Sequence, residues 1–375
     1  MSWQPDITPE SRHAMMAGKG QRVIVGMSGG VDSAVAALLL IEAGWQVGGL
    51  YMSNWEDQDR YCSDAQDYQD ARAVARELGI VLHRVSFADQ YRRLVFEEFL
   101  AEYRRGRTPN PDVLCNREIK FGACLRYTQR LGADWFATGH YARCADDQGA
   151  PSLLRAIDAA KDQSYFLCGV ERIRFARVLF PLGELHKSQV RERALRAGFP
   201  VHDKPDSTGI CFIGERPFAE FLKRYIPETP GSIETLDGRV LGRHCGLPFY
   251  TLGQRGGLEI GGVRGSAGEP WYVARKDTAR NALLVVQGME RAGLGSGALR
   301  TGAINWLCEP PITAFAAGVK LRYRQADQPA RVELCPDNSA LVHFHSPQWA
   351  ATPGQTAALY LGERCLGGGV IEETL

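Results

Sequence analysis

The run VIVGMSGGVDS, residues 23–33, decides how this chain reads. Val23–Met27 is apolar and rich in β-branched side chains, the composition of a buried strand. Ser28-Gly29-Gly30 interrupts it, and an apolar stretch at helical spacing follows, running to about Ala43 with Gly44 as its stop. Asp32 reads as the N-cap of that helix. A strand that ends in a Ser/Gly turn and opens into a helix is built to hold an anion. The glycines let backbone come close, the serines add hydroxyl donors, and the helix start presents N–H groups. The order of residues matches neither Gly-x-x-x-x-Gly-Lys-Ser/Thr nor Gly-x-Gly-x-x-Gly. The plain alternative is a tight β–α turn with no ligand, but such a turn requires neither two serines nor an aspartate around two glycines.

Working outward, strands are expected at Gln46–Met52, Ile80–Phe87 and Trp135–Thr138, and helices at Ala65–Leu78, Gln90–Arg104 and Arg117–Leu131. This alternation predicts an α/β fold, a Rossmann-like parallel sheet with helices on both faces. Ligands of such sheets sit at the carboxyl ends of the strands, which puts Ser28–Ser33, Met52 and Thr138-Gly139-His140 on one edge. After about residue 215 the helical period fades into short β-rich runs. Asp237-Gly238 marks a hairpin, Gly253–Gly268 is expected to be a mobile loop, and runs at 319–323, 331–334, 340–344 and 357–360 suggest a small antiparallel barrel. The expected organisation is a loose tail over 1–20, an α/β unit over 21–215, a β-rich unit over 216–290 and a C-terminal β-barrel over 291–375.

Apolar content of 45% and charged content of 23% are ordinary for a globular protein. The longest apolar run, Ala34–Ile41, cannot span a bilayer, and the polar start lacks a signal-peptide core, so a cytoplasmic protein with no membrane partner is expected. A net charge of +1 conceals two basic stretches, 91–130 and 171–204, each +4, and an acidic one, 54–70, at −5. Basic stretches of this kind can form a phosphate-binding surface, though solvated helix faces look the same. The ten cysteines contain no Cys-x-x-Cys, so neither zinc nor an iron–sulfur cluster is expected, and most should be buried thiols.

Two cysteines stand apart. In GRTPNPDVLCNREIKF (106–121), Pro109 and Pro111 suggest a stiff non-helical approach, followed by Asp112, Cys115 and a basic helix from about Asn116. A cysteine at a helix start, near Arg117 and Lys120, should have a depressed pKa and favour thiolate. In DSTGICFIGE (206–215), Cys211 lies in a Gly-flanked run. Two such thiols beside a phosphate loop suggest sulfur chemistry, one carrying sulfur as a persulfide, the other a nucleophile or resolving partner.

The loop resembles the pyrophosphate loop of enzymes that split ATP into AMP and pyrophosphate. The whole chain resembles the tRNA-specific 2-thiouridylases, which place sulfur at C2 of the wobble uridine, position 34. The resemblance is carried by GMSGGVDS (26–33), GRTPNPDVLCNREIKF, ATGHY (137–141), KDQSYFL (161–167), DSTGICFIGERPF (206–218), TLGQRGGL (251–258), EPWYV (269–273), RYRQ (322–325), PGQ (353–355) and CLGGG (365–369). It implies that Gly26, Met27, Ser28, Gly29, Gly30, Val31, Asp32 and Ser33 bind ATP, with Met52 and Gly139 lining the pocket. It further implies Mg²⁺ with the nucleotide, Cys115 as nucleophile, Cys211 as persulfide carrier, and Asn110, Pro111 and Asp112 at the target base, Asp112 as acid/base. Lys161, Asp162, Gln163, Arg322, Tyr323, His140 and Gln355 would contact tRNA; without the resemblance these are solvated polar positions and a strand-end histidine. Partners implied are a tRNA with uridine at position 34 and a persulfide-donating relay protein or cysteine desulfurase, the chain itself being a monomer. The rival expectations are a small-metabolite amidotransferase or ligase of the same ATP-splitting class, and a non-catalytic RNA-binding or sulfur-carrier protein.

Overall fold

The computed structural model describes residues 18, 20–55, 64–206, 217–260, 269–288, 295–311 and 314–375. With strands numbered in chain order, a five-stranded parallel sheet is built from β1 (Arg22–Gly26), β2 (Gln46–Ser53), β3 (Leu82–Ser86), β4 (Trp135–Thr138) and β7 (Val178–Leu179), in the order β3-β2-β1-β4-β7. A parallel sheet was expected, with strands matching β1 to β4; β7 is an addition. Because the connections leave β1 in opposite directions, a crevice opens between the carboxyl ends of β1 and β4, the place where such sheets bind ligands. Helix α1 (Val31–Glu42) buries Val31, Ala34–Ala37, Leu39 and Leu40, and Gly44 (φ +81) closes it. Its N-cap is Gly30 rather than Asp32, which lies within the first turn. Helix α2 (Asp64–Glu77) ends before Gly79 (φ +65).

The helix expected from Arg117 begins six residues earlier. Asn110 caps it, its Oδ1 accepting from Asp112 N (3.2 Å) and Val113 N (3.4 Å), and Pro111 occupies the first helical position. Proline fits there because its missing N–H would be unpaired anyway. The helix then widens into a π segment over Asn116–Cys124 before resuming at Leu125–Arg130. Arg174 steadies the wide turn, its Nη1 donating to the Arg117 (2.7 Å) and Phe121 (3.2 Å) carbonyls.

The second sheet, in the order β10-β11-β8-β9, contains β8 (Gly231–Thr235), β9 (Val240–His244), β10 (Trp271–Asp277) and β11 (Ala282–Gln287). The β8–β9 hairpin turns at Asp237-Gly238 with Gly238 at φ +89, as expected. The C-terminal sheet closes on itself as β12 (Ser296–Thr301), β16 (Ala340–Gln348), β15 (Gln328–Leu334), β14 (Phe315–Lys320), β17 (Thr356–Leu361), β18 (Arg364–Thr374) and back to β12. A short strand, β13 (Asn305–Trp306), also pairs with β18.

Beside the short β7, a hairpin has no counterpart in the sequence-based expectation. β5 (Ala142–Asp147) and β6 (Ala150–Arg155) form a hairpin that leaves the α/β unit and joins the barrel sheet, Leu153 opposite Cys365 and Leu154 opposite Arg364. Its turn holds Gln148 (φ +51) and Gly149 (φ +84). Arg155 seals the junction, bonding Asp327 at 2.7 Å with its guanidinium 3.7 Å from the Tyr360 ring centre, and Arg143 bonds Glu363 at 2.9 Å. Among the described residues no helix is long and apolar enough to cross a membrane.

Candidate active site

The turn after β1 is tied to itself. Ser28 N donates to Ser33 Oγ (3.1 Å), the two serine hydroxyls are 3.2 Å apart, and Ser33 Oγ donates to the Gly30 carbonyl (3.1 Å). Gly29 sits at φ +74, and a Cβ there would lie 2.2 Å from the Asp67 carbonyl oxygen, so α2 closes the loop from behind. A Cβ on Gly30 would meet only Ser28 Oγ, at 3.4 Å, so the outer wall is open. Gly139 faces the loop from the end of β4; a Cβ on it would lie 2.8 Å from Ser33 N and Asp32 C. The start of α1, with N–H groups that the helix cannot pair internally, therefore lies against Gly139 at the end of β4, with Met27 and Val31 buried. Met52 lies on the same edge, in register with Val85.

Asp32 does not cap α1. Its Oδ1 accepts from the Tyr141 hydroxyl (2.8 Å), and Lys187 Nζ bonds both carboxylate oxygens (2.7 and 2.8 Å). Lys187 also bonds Asp206 Oδ1 at 2.7 Å, and Asp206 receives Lys161 (2.7 Å) and Arg191 (3.3 Å). Burial alone would raise the Asp206 carboxyl, but hydrogen bonds from the Lys161 and Lys187 ammoniums overcome it and hold it at about 2. Lys204 closes the back of the loop, Nζ donating to the Gly29 carbonyl (3.0 Å), Asp67 (2.7 Å) and Asp70 (2.5 Å). Lys187 and Lys204 escape a sequence reading because they reach Asp32 and Gly29 across more than a hundred residues.

Asp112 stands in the first turn of the helix that Asn110 caps, and Cys115 is buried one turn on. Burial pushes the Asp112 carboxyl up, with Lys120 pulling partly against it. Cys115 is thus inside the helix rather than at its start. Neighbouring Asn116 is 2% exposed; its Nδ2 donates to the Phe166 carbonyl (3.0 Å), and its Oδ1 has no partner among the described residues. Lys120 connects this helix to the sheet edge, its Nζ 3.5 Å from His140 Nε2, while His140 Nδ1 is 2.8 Å from Thr138 Oγ1. Burial, helped by the Lys120 charge, holds the His140 pKa well down. A neutral ring accepting from Lys120 and donating from Nδ1 to Thr138 satisfies both bonds.

The chain just before Asn110 is gripped by both β units. Lys276 Nζ donates to the Gly106 carbonyl (3.0 Å), and Thr108 Oγ1 is 3.4 Å from Thr251 Oγ1. From the barrel, the Pro353 carbonyl accepts from Thr108 N (3.0 Å), and Gln355 Nε2 donates to the Thr108 (2.8 Å) and Pro109 (3.2 Å) carbonyls. Arg107 bonds Glu372 at 2.6 Å.

The other expected contacts divide. Tyr323 donates to the Lys161 carbonyl (3.2 Å) and lies against Phe166, ring centres 4.5 Å apart; Arg322 is exposed and donates to the Ala350 carbonyl (2.8 Å). Lys161, Arg322 and Tyr323 thus lie close together in the fold. Asp162, which the resemblance puts at the tRNA, is turned into the protein. It is 3% exposed, and its carboxylate accepts from Ala156 N, Ser164 N and Ser164 Oγ. Gln163 likewise turns inward, accepting from Tyr141 N at 3.0 Å. Cys211, most of the 206–215 segment, residues 261–268 of the expected loop and nearly all of the 1–20 tail lie outside the described residues. Among the described residues no cluster of three or more His, Cys, Asp or Glu could hold a metal ion.

Three family profiles match the chain in succession: a tRNA methyl transferase HUP domain over 21–215, a tRNA methyl transferase PRC-barrel domain over 219–287 and an aminomethyltransferase β-barrel domain over 296–371. The chain is 55% identical to a protein of Marinobacter nauticus named tRNA-specific 2-thiouridylase MnmA, covering 94% of this chain and 91% of that one. It is 55% identical to the protein of the same name from Tolumonas auensis, over 94% and 96%, and 51% identical to that of Methylobacillus flagellatus, over 95% and 99%. Identity at this level, over nearly the full length of both partners, places the chain in the tRNA-specific 2-thiouridylase family.

Proposed function

We propose that the protein is a tRNA-uridine 2-sulfurtransferase, replacing the C2 oxygen of the wobble uridine with sulfur at the expense of ATP. The observation that carries this reading is a single edge where an anion-cradling loop (Ser28–Ser33) meets, through Lys120 and His140, the helix bearing Asp112 and Cys115. Oxygen is a poor leaving group. ATP would transfer AMP to uridine O2 and release pyrophosphate, the α1 N-terminus and loop hydroxyls taking the phosphate charge. Mg²⁺ would come with the nucleotide, bound mainly by its phosphates, and neutralise the developing pyrophosphate charge. A persulfide sulfur on Cys211 would then reach C2 and displace AMP. Either Cys115 first takes that sulfur and delivers it as hydrosulfide on closing a Cys115–Cys211 disulfide, or the outer persulfide sulfur attacks C2 directly and Cys115 then attacks Cys211 Sγ, breaking the S–S bond and freeing the thiolated base; both routes end in a Cys115–Cys211 disulfide that a thiol reductant must reopen before the next turnover. The raised Asp112 carboxyl suits a group that exchanges a proton with the base.

Lys161, Arg322 and Tyr323 are the proposed tRNA contacts, along with His140, Gln163 and Gln355, while Asp162 holds the turn beside Lys161 through its bonds to Ala156 and Ser164. The units over 216–290 and 291–375 would hold the anticodon stem-loop, from which the base must be extruded. A persulfide-donating protein would load Cys211 in the cytoplasm. The test is incubation with ATP, Mg²⁺, a persulfide source and unmodified tRNA, followed by nucleoside mass analysis. The expected product is a uridine with sulfur in place of oxygen, not an added methyl. Cys115→Ala and Cys211→Ala should each abolish it while nucleotide binding persists; full activity in either overturns the two-thiol mechanism.

A further inference from the structure

Tyr165 and Phe166 stand where three parts of the molecule meet. They lie in the short helix Ser164–Leu167, which follows the hairpin that joins the α/β unit to the barrel. Tyr165 is 1% exposed, and its hydroxyl reaches two barrel carbonyls, Thr356 at 3.0 Å and Leu321 at 3.3 Å. Leu321 follows the end of β14 and directly precedes Arg322 and Tyr323. Thr356 opens β17 and directly follows Gln355. The hydroxyl therefore ties down the stretch of barrel rim that carries three of the proposed tRNA contacts.

The same two residues also hold the helix that bears Asp112 and Cys115. The Asn110 side chain is hydrogen-bonded to the Tyr165 hydroxyl. With Asn110 Oδ1 taken by the Asp112 and Val113 N–H groups, its amide Nδ2 is the donor. Phe166 takes the other end, its carbonyl accepting from Asn116 Nδ2 at 3.0 Å while its ring lies 4.5 Å from that of Tyr323. Asn110 and Asn116 bracket Pro111–Cys115, so two adjacent residues fix both ends of the stretch that carries the reacting groups. A side chain needed only to fill this space would do so without an oxygen, because burying a polar atom gains nothing by itself.

We propose that Tyr165 is a positioning residue of the thiolation reaction: its hydroxyl fixes the barrel rim that seats the tRNA relative to the helix start that carries Asp112 and Cys115. The assignment rests on the reading of the chain as a tRNA sulfurtransferase. With the tie broken, tRNA would still bind the rim, but the uridine would meet the reacting groups out of register. A displacement of about 1 Å costs on the order of 100-fold in rate.

The test measures formation of thiolated uridine by the full chain, giving kcat and KM for tRNA, with ATP affinity from calorimetry. Tyr165→Phe keeps the ring and removes only the hydroxyl. Its kcat should fall about 10- to 30-fold, with KM for tRNA and ATP affinity within about twofold. Asn305→Ala is the control for lost stability alone, since Asn305 Nδ2 ties the same segment to the barrel farther along, at the Cys168 and Val170 carbonyls, both at 2.8 Å. Its kcat should stay within about twofold.

Unchanged kcat in Tyr165→Phe, a loss that lies in KM for tRNA or in ATP affinity instead, or an equal fall in Asn305→Ala overturns the assignment. Should Tyr165→Phe fail to fold, Asn116→Ala, which frees the Phe166 carbonyl, must show the same split, and full turnover in it overturns the assignment. If the unaltered chain forms no thiolated uridine, the sulfurtransferase reading falls and this assignment with it. Product from the unaltered chain, with full turnover in Tyr165→Phe, sinks this assignment alone.

Discussion

The anion loop and the approach to Cys115 are held by opposite means. Ser28, Gly30 and Ser33 bond one another across at most five residues of chain. The stretch 106–109 is instead held by bonds that span 143 residues to Thr251, 170 to Lys276, 247 to Gln355 and 265 to Glu372. A loop of the first kind needs only the α/β unit, since even its longest tie, Lys204 to the Gly29 carbonyl, stays within 21–215. A helix start of the second kind is in place only when both β units have docked. Nucleotide binding therefore belongs to the α/β unit, whereas the position of Asp112 and Cys115 is a property of the whole chain.

The largest effect expected from attacking this contrast is on the loop side. Gly29→Ala puts a methyl group 2.2 Å from the Asp67 carbonyl carbon's oxygen at a φ of +74, so the loop must move. Backbone strain of about 1–3 kcal/mol plus the overlap should cut ATP affinity by at least roughly tenfold, measured by calorimetry, with the 111–130 helix unaffected in hydrogen exchange. Loss of protection in both places would break the contrast.

Gln355→Ala attacks the other side and should be milder. It removes two hydrogen bonds to the Thr108 and Pro109 carbonyls, worth about 1 kcal/mol each. Thiolation turnover should fall about 5- to 30-fold with ATP affinity unchanged. A rise in KM for tRNA beside the loss of turnover would show that Gln355 touches tRNA as well as clamping 108–109, and unchanged turnover would remove the clamp.

Lys276 offers the smallest and most specific handle. Burial lowers its pKa from 10.5 to about 8. The folded state therefore sheds this proton before the unfolded chain does, and stability gains a positive term as pH rises from about 8 toward 10.5. Lys276→Met should remove that term from the difference between urea titrations at pH 8 and pH 10. An identical pH dependence in the variant would show that the ammonium is not desolvated against Gly106.

The same contrast explains what could be read from sequence. The loop, its flanking strands and the stops at Gly44 and Gly79 were legible because their determinants are adjacent in the chain. Asp32 was misassigned as a cap because the N-cap pattern does not reveal a lysine 155 residues away that claims the carboxylate. The helix at Pro111 could have been found: Asn-Pro is a helix-start signal, but Pro109 and Pro111 together suggested extended chain. The β5–β6 hairpin also had a local mark at Gln148-Gly149, whereas its partner strand lay beyond any local pattern. The inward turn of Asp162 follows from Ser164 and Ala156, both nearby, yet only the fold reveals which way that carboxylate faces.

The junction between β6 and β18 also sets a schedule for the newborn chain. β6 is made early, but its partners Arg364 and Cys365 emerge about 210 residues later, roughly 10–40 s at ordinary rates of synthesis. Throughout that interval one flank of the hairpin has no strand to bond and stays open to wrong pairing. A message cut short before codon 364 would therefore release a sticky sheet edge rather than a smaller working enzyme.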